Sequence, residues 1–161
     1  MALVIQPAAP IDIPELVALM TGFYAEADLT LPTGPAERAF QTLLSDARLG
    51  GVWLARIGRT AVGYAVLTVC FSMEYGGLRG FIDDLYVQYE ARRQGAGAEL
   101  LGAVRAAAGE RGVRALHVEV GPDNQTARRL YARAGYAESG HLFLSLPLAA
   151  PVHATLTDGR R

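Results

Sequence analysis

The stretch Arg92-Arg93-Gln94-Gly95-Ala96-Gly97 decides the fold, because it joins a predicted strand to a predicted helix through two glycines. The first N–H groups of a helix have no internal partners, and the helix dipole favours an anion beside them. Gly95 and Gly97 carry no side chain that would keep a pyrophosphate from the backbone, and Arg92 and Arg93 add positive charge. Glycines at a helix start also often serve only close packing, so both interpretations stay open here.

The spacing of this loop excludes two well-known phosphate-binding loops. A Gly-Lys-Ser/Thr ending, typical of nucleoside triphosphatases, is missing from the sequence. A third glycine and an acidic residue about 20 positions further on, typical of dinucleotide folds, are missing as well. The rest of the chain must therefore decide what the loop binds.

Length and composition predict one globular domain. The chain has 161 residues, of which 51% are hydrophobic and 19% charged. We expect a single domain over residues 1–148 and a loose tail over 149–161. The net charge of −1 argues against nucleic-acid and membrane-surface partners. The start of the sequence lacks the pattern of a signal peptide, so a cytoplasmic location is expected. Cys70 stands alone in an apolar run and is predicted to be a buried, small hydrophobic residue.

Hydrophobic periodicity predicts the element order β-α-α-β-β-β-α-β-α-β-β, which is an α/β fold with helices on the faces of a mixed sheet. The predicted strands are Leu3 to Gln6, Val52 to Ile57, Val62 to Phe71, Gly80 to Gln88, Ala115 to Val120, and one or two within Tyr136 to Leu146. Four helices begin near Ile13, Thr33, Gly97 and Asn124. Asp12 and Glu15 have the spacing of a capping box at the first of them.

Two segments in a fixed order resemble the motifs of one family. Arg92-x-x-Gly95-x-Gly97 follows the strand Phe81-Ile82-Asp83-Asp84-Leu85-Tyr86-Val87, and Asn124-x-x-Ala127-Arg128-x-Leu130-Tyr131-x-x-x-Gly135-Tyr136 comes after it. Through this pair the chain resembles the GNAT superfamily of acetyl-CoA-dependent N-acetyltransferases. The resemblance implies a GNAT-like fold with a central, mostly antiparallel mixed sheet, parallel splayed fourth and fifth strands, and about four helices.

The resemblance implies that acetyl-CoA binds between the splayed strands, Phe81 to Gln88 and Ala115 to Val120. The backbone N–H near Val87 would polarise the acetyl carbonyl, and the N–H groups of residues 94–98 would bind the pyrophosphate. The cofactor-binding residues implied in this way are Leu85, Tyr86, Val87, Arg92, Arg93, Gln94, Gly95, Ala96, Gly97, Ala98, Asn124, Ala127 and Arg128.

Acetyl transfer to an amine needs an acid and a base. Tyr131 matches the family position of the acid, which would protonate the departing thiolate, although a plain core aromatic is the alternative. Asp83 and Asp84 are the candidate catalytic bases, because charged pairs are unusual in a central strand. Since consecutive strand residues point to opposite faces, we expect only one of them to face the acetyl group, with Asp83 favoured as base and Asp84 as substrate anchor. Pairing of either with an arginine is the alternative.

The acceptor is predicted to be a small, cationic amine, because acidic residues gather at the predicted site. Phe23, Tyr24, Glu26 and Asp84 are the candidate substrate-binding residues, the first three through the family layout. The sequence offers no paired His/Cys spacing for a metal. A homodimer is common among similar proteins. A second interpretation, from another functional class, is an acyl-CoA-binding sensor without transferase activity.

Overall fold

The computed structural model describes residues 2–155, and it places seven strands and four α-helices within them. The strands are β1 Leu3–Pro7, β2 Leu29–Thr30, β3 Gly50–Ile57, β4 Thr60–Ser72, β5 Gly77–Val87, β6 Val113–Val118 and β7 Ala154–Thr155. The helices are α1 Ile13–Ala25, α2 Thr33–Ser45, α3 Ala96–Glu110 and α4 Gln125–Arg133. None of these described helices is long and apolar enough to cross a membrane.

A five-stranded sheet in the order β1-β3-β4-β5-β6 forms the centre of the domain. Neighbouring strands are antiparallel except for β5 and β6, which run parallel and are connected through α3. A parallel pair needs such a crossover helix. The structure therefore confirms the predicted mixed, mostly antiparallel sheet with its one parallel pair.

Each face of the sheet carries its own hydrophobic core. Helices α1 and α2 cover one face, where Leu16, Leu54 and Tyr64 are fully buried. Helices α3 and α4 cover the other, where Leu67 and Leu100 are fully buried. This two-sided covering follows from the nearly continuous apolar run in β4, since a strand buried on both faces has no polar side.

The prediction of final strands within Tyr136 to Leu146 was wrong for this chain. Residues 137–151 form no helix or strand, and all of them are exposed. The apolar alternation of a strand is present, but a strand also needs a partner edge, and no described strand of the chain pairs with this segment.

Part of the predicted loose tail is docked onto the domain. β7 pairs antiparallel with β2, and Val152 packs against the core formed by α1 and α2. Residues 156–161 of the predicted tail lie outside the described residues. Cys70, predicted to act as a small hydrophobic residue in an apolar run, is exposed.

Asp12 and Glu15 do not form the predicted capping box. Asp12 accepts a hydrogen bond of 2.8 Å from the Ala9 N–H, and both carboxylates form ion pairs with Arg56 of β3. Arg56 forms charge-assisted hydrogen bonds to both carboxylates, so a strand distant in sequence holds these acids instead of the backbone of α1.

Candidate active site

The parallel strands β5 and β6 separate at the middle of β5. Their pairing ends at Ile82 and Val118, and the last five residues of β5 have no β6 partner. A cavity of about 130 Å³ opens at this point, lined by Phe81, Ile82, Asp83 and Glu119. The strands are therefore splayed at the place where the resemblance implied that acetyl-CoA binds.

A bulge in β5 brings both aspartates to the same side of the sheet. Val66 of β4 lies opposite Asp84, but Leu67 lies opposite Ile82, so that Asp83 is an extra residue in the ladder. Asp83 lines a cleft beside α2, while Asp84 contacts Tyr64 in the core under α1 and α2. The premise that consecutive residues point to opposite faces does not hold for this pair, because a bulge interrupts the strict alternation of a strand. Which aspartate faces the acetyl group stays a prediction.

Asp84 is the more enclosed of the two acids. Its Oδ2 accepts a hydrogen bond of 2.8 Å from the Tyr64 hydroxyl. Burial raises the pKa of Asp84 to about 6, the charge of Asp83 adds to the rise, and the bond from Tyr64 opposes it. Asp83 is exposed to the cleft, and partial desolvation raises its pKa as well.

Tyr131 lies buried on the other face of the sheet, against α3. Its ring contacts Tyr136 edge-on, with 5.5 Å between the centroids. Burial raises the pKa of Tyr131 to about 12, with smaller contributions from Tyr136 and the charge of Asp84. The hydroxyl of Tyr131 therefore stays protonated at neutral pH.

Helix α4, which carries Tyr131, begins with a side-chain cap. Oδ1 of Asn124 accepts a hydrogen bond of 3.0 Å from the Ala127 N–H. Arg128 bonds to the Pro122 carbonyl and to Glu138. These contacts fix the start of the helix beside the splayed strands.

The glycine-rich loop reaches α3 through two residues with positive φ. Arg93 has φ 61° and Gly95 has φ 90°. A side chain at Gly95 would meet no atom within 4 Å, so the space above the loop is open. The N–H groups of Ala96, Gly97 and Ala98 lie in the first turn of α3, where a helix leaves its donors without internal partners. The loop is thus an open cradle for an anion.

Gly97 serves a different purpose from Gly95. A Cβ atom at Gly97 would lie 3.2 Å from Cδ2 of Leu130 in α4. This glycine therefore allows α3 and α4 to approach closely, which is the packing alternative that the sequence left open.

Arg92 and Glu26 form one structural unit, although the sequence assigned them to different ligands. Nη2 of Arg92 donates to both carboxylate oxygens of Glu26 at 2.6 Å, and its Nε donates to the Val87 carbonyl at 2.8 Å. The Tyr86 hydroxyl also donates to Glu26, at 3.1 Å. Gly22 of α1 leaves room for the Tyr86 hydroxyl, since a Cβ atom at Gly22 would lie 3.1 Å from the hydroxyl oxygen. That Arg92 contacts a pyrophosphate directly stays a prediction. That Glu26 contacts an acceptor stays a prediction as well.

The other predicted cofactor residues surround the loop and the splay. Leu85, Val87 and Ala127 pack at the margin of the core under α3 and α4. Arg93 and Gln94 are exposed, and the Gln94 amide donates to the Glu90 carbonyl.

A second and larger opening lies between α2 and the sheet. It measures about 590 Å³ and is lined by Pro35, Arg38, Ala39, Thr42, Leu43, Leu49, Thr68, Val69 and Asp83. It leads from solvent to Asp83, so it offers an acceptor a path to the splay. Arg38 is the one cation in its lining.

Phe23 and Tyr24 stand at the end of α1, close to the two aspartates. The ring of Phe23 lies 5.4 Å from that of Tyr24 and 5.5 Å from that of Tyr86, centroid to centroid. Burial raises the pKa of Tyr24 to about 12, and the charges of Asp84 and Asp83 contribute further. Tyr24 therefore borders the acidic pair as a neutral phenol.

Sequence reasoning missed Tyr64 and Arg38. A phenol in the otherwise apolar run of β4 was the available signal for Tyr64, because a buried hydroxyl needs a partner. Arg38 gave no signal, since an arginine on an exposed helix face is ordinary. Within residues 2–155 the structure contains no group of histidine, cysteine and carboxylate side chains that could hold a metal.

Comparison with known proteins identifies similar sequences. The model of the Acetyltransferase (GNAT) family matches residues 16–136. An uncharacterized N-acetyltransferase, YhfO of Bacillus subtilis, is 34% identical over 89 residues, which are 53% of this chain. The match spans 60% of the length of that relative.

Solved structures share the fold over nearly the whole chain. An integron cassette protein from the mobile metagenome of Cole Harbour Salt Marsh is 47% identical, with a TM-score of 0.86 and 92% of each chain covered. A possible acetyltransferase from Clostridium difficile 630 is 18% identical, with a TM-score of 0.81 over 93% of this chain and 100% of that one. The aminoglycoside N-acetyltransferase AAC(6')-Iy, solved with CoA, is 15% identical, with a TM-score of 0.78 over 92% of this chain and 96% of that one.

Proposed function

Because the chain belongs to the GNAT acetyltransferase family, we propose that it transfers the acetyl group of acetyl-CoA to a primary amine of a small, cationic acceptor. One observation carries the proposal. An open anion cradle at the start of α3 lies next to a splay whose two sides hold a buried phenol, that of Tyr131, and a half-buried carboxylate, that of Asp84.

The cradle and the splay fit two parts of acetyl-CoA, its pyrophosphate and its pantetheine arm. Free N–H groups at Ala96 to Ala98 and the helix dipole of α3 suit a pyrophosphate. The unpaired end of β5 offers backbone groups to the pantetheine arm as an added strand would use them. In this arrangement the N–H near Val87 polarises the acetyl carbonyl.

Asp84 is proposed as the base and Asp83 as the anchor of the acceptor, which reverses the preference drawn from the sequence. An alkylammonium with a pKa near 10.4 is almost fully charged at neutral pH, so a base must take its proton before the nitrogen attacks. A carboxylate with a pKa of about 6 is ionised at neutral pH and accepts a proton more readily than an ordinary aspartate. Asp83 faces the cleft through which the acceptor enters.

Tyr131 is proposed as the acid. The amine nitrogen forms a bond to the acetyl carbon, the carbon–sulfur bond breaks, and the phenol gives its proton to the departing thiolate. The pKa of a thiol is near 8.5 and that of Tyr131 is about 12, so proton transfer from the phenol to a free thiolate is unfavourable by itself. The proton therefore has to move while the carbon–sulfur bond breaks. As the amide forms, the nitrogen loses a second proton, which restores the phenol of Tyr131, and the proton that Asp84 received is released to solvent.

The charges of the cleft favour an acceptor that binds with its amine at the end of the cleft where Asp83 lies. Asp83 attracts an ammonium there, and Arg38 repels a second cation near α2. At 15% identity the aminoglycoside acetyltransferase shares only the fold with this chain. The acceptor class is therefore inferred from the charged residues of the cleft and not from that protein's substrate.

The test is thiol release from acetyl-CoA with a panel of primary amines, run beside calorimetry for CoA binding. The panel pairs each diamine with a monoamine of equal length and with an ω-amino acid. We expect turnover on at least one cationic amine. CoA binding without turnover on any amine would favour the acyl-CoA sensor instead, and absence of CoA binding would reject both. A strong preference for an anionic or aromatic amine would overturn the acceptor class.

A further inference from the structure

The cleft between α2 and the sheet has walls that are mostly apolar. Pro35, Ala39 and Thr42 of α2 line it together with Arg38, and their spacing of three to four residues places them on one face of the helix. Apart from Arg38 and Asp83, the described lining residues are apolar or threonine: Pro35, Ala39, Thr42, Leu43, Leu49, Thr68 and Val69. Such walls offer a ligand apolar contact more than hydrogen bonds.

The cleft and the cavity in the splay meet at Asp83, which lines both of them. The cavity measures about 130 Å³ and is also lined by Glu119, whereas the cleft measures about 590 Å³. The larger volume lies within the range of roughly 300 to 1,000 Å³ that is usual for small-molecule sites. A molecule that reaches the splay through the cleft therefore places its amine beside Asp83 and has room for a larger body behind that amine.

The walls of the cleft favour an aliphatic body over a polyhydroxylated or an aromatic one. Thr42 already donates its hydroxyl to the Arg38 carbonyl at 2.9 Å, so it is no longer a donor for a ligand. Hydroxyl groups of a ligand would leave water there with few partners, which is costly. Among the described residues, none that line the cleft is aromatic, so an aromatic body has no ring to stack on. An alkyl chain gains from leaving water and needs no polar partner.

Arg38 disfavours a second positive charge on the ligand. Asp83 belongs to β5 and Arg38 to α2, so the two charges lie on different walls of the cleft. Within residues 2–155, no carboxylate forms an ion pair with Arg38, so its charge is not neutralised by the protein. A diamine would place its second ammonium in this apolar cleft beside a guanidinium, at a cost that a monoamine of equal length avoids.

We propose that the acceptor is an aliphatic primary monoamine whose alkyl chain lies in the cleft, with Arg38 selecting it against diamines. This inference rests on the proposed acetyl transfer and names the acceptor class of that site. The amine nitrogen forms the bond to the acetyl carbon while the carbon–sulfur bond breaks. An alkylammonium and acetyl-CoA thus give an N-alkylacetamide, the free thiol of CoA and one proton released to solvent.

A homologous series of amines tests the class. Thiol release from acetyl-CoA is measured with linear 1-aminoalkanes from propylamine to octylamine and with α,ω-diamines of the same lengths. We expect kcat/KM to rise by up to about fourfold for each methylene that leaves water, until the chain fills the cleft. Each diamine should have a kcat/KM roughly tenfold or more below that of its monoamine.

Two variants of α2 place the chain in the cleft. Ala39→Glu puts a charged side chain into the apolar wall and should flatten the rise with chain length, while the turnover of propylamine and the Kd for CoA stay unchanged. Gln41→Glu adds the same charge at an exposed position of α2 that does not line the cleft, and the rise should remain. Because both positions are exposed, thermal unfolding should be the same for both variants and the wild type.

Arg38→Glu tests the selection against diamines. Reversing this exposed charge should increase the kcat/KM of each diamine relative to its monoamine by roughly two- to tenfold. The rise of kcat/KM with monoamine length should persist, because the apolar wall is intact. An unchanged ratio of diamine to monoamine would reject Arg38 as the selecting residue.

The remaining outcomes separate this inference from the proposed function. Absence of turnover on every amine would reject acetyl transfer and the acceptor class with it. Turnover that does not depend on chain length, or wild-type turnover that is faster on diamines, would overturn the acceptor class and leave acetyl transfer in place. A rise that survives Ala39→Glu would also overturn it. So would faster turnover of propylamine with longer acyl-CoA donors, since the cleft would then hold the acyl chain.

Discussion

The hydroxyl of Tyr64 donates a hydrogen bond of 2.8 Å to Oδ2 of Asp84, across the two central antiparallel strands β4 and β5. This bond stabilises the ionised carboxylate, whereas burial destabilises it. Burial has the larger effect, so the pKa of Asp84 rises to about 6. The proposed base is therefore ionised at neutral pH, and its proton affinity is well above that of an ordinary aspartate.

Asp84→Asn should remove the acidic limb of the rate profile. If Asp84 is the base, kcat/KM of the wild-type enzyme falls about tenfold per pH unit below pH 6, the pKa of Asp84. The amide cannot accept the proton, so kcat should fall by about 10² to 10⁴ and the remaining activity should no longer show this limb.

Asp83→Asn is the matched control, because it removes the same charge from the adjacent residue. The limb should remain and move to lower pH, since the charge of Asp83 raises the pKa of Asp84. KM for the acceptor should increase, as expected for an anchor. A limb that persists in both variants would reject both aspartates as the base.

Asp84→Asn should also stabilise the protein at neutral pH. The folded-state pKa of Asp84 lies above the unfolded value of 3.8, so this group favours folding most below pH 3.8, and that contribution is lost as the pH rises through about 6. Above that pH the half-buried carboxylate costs up to about 3 kcal/mol, which asparagine avoids while still accepting the Tyr64 hydrogen bond.

Urea unfolding at two pH values measures this effect. The variant should exceed the wild type by about 1 to 3 kcal/mol near pH 7.5 and equal it below about pH 4. Tyr64→Phe provides the opposite change, since losing the donor raises the pKa of Asp84 further. Equal free energies of unfolding for Asp84→Asn and wild type near pH 7.5 would show that the carboxylate is well solvated.

Much of the fold follows from local sequence, because its signals are periodic. The apolar patterns of β3 and β4 indicate strands, and the apolar stripe of α3 indicates a helix that begins after a glycine. The parallel pairing of β5 with β6 follows from the crossover helix between them. Residues 142–148 have an equally clear strand pattern, with leucine at every second position, yet no described strand of the chain pairs with them. A pattern does not say where the partner of a strand lies.

The site was less predictable, because its key features depend on register. The bulge at Asp83 exists only in the pairing of β4 with β5, and it turns both aspartates to one side. The bond from Arg92 to Glu26 joins residues 66 positions apart. No local pattern in either segment distinguishes an arginine that binds phosphate from one that holds a loop to a helix.

Tyr131→Phe should lower turnover while acetyl-CoA binds as before. The phenylalanine keeps the buried ring and its edge-on contact with Tyr136, so packing changes little, but no proton reaches the thiolate. We expect kcat to fall by about 10² or more, with Kd for CoA by calorimetry unchanged. Tyr136→Phe is the control, and it should retain activity. Full turnover in Tyr131→Phe would leave Tyr131 as a core aromatic only.

Gly95→Ala should weaken CoA binding while the domain stays folded. The φ of 90° at Gly95 costs an alanine roughly 1 to 2 kcal/mol, and its methyl group points into the open cradle. Gly102→Ala is the control, since Gly102 lies within α3 with nothing within 4 Å of an added Cβ atom, and the alanine should stabilise α3 by about 0.5 to 1 kcal/mol. CoA calorimetry and thermal unfolding on both variants measure the difference. Unchanged affinity in Gly95→Ala would mean that the cradle does not hold the pyrophosphate.

Glu26→Gln should weaken acetyl-CoA binding even though it removes a negative charge near a polyanionic ligand. The carboxylate holds Arg92 by two bonds of 2.6 Å, and Arg92 also binds the Val87 carbonyl, so Glu26 fixes the loop to both α1 and β5. The Glu26 and Arg92 side chains are 46% and 33% exposed, so losing this pair should cost less than about 1 kcal/mol of stability. The effect should appear instead as a several-fold higher Kd for CoA.

Asp46→Asn gives the same change in net charge at a remote ion pair with Arg48, and it should leave the Kd unchanged. If Arg92 binds the pyrophosphate directly, freeing it from Glu26 should tighten CoA binding, and the Kd of Glu26→Gln would fall. The direction of the change therefore decides between a guanidinium that positions the loop and one that contacts the cofactor.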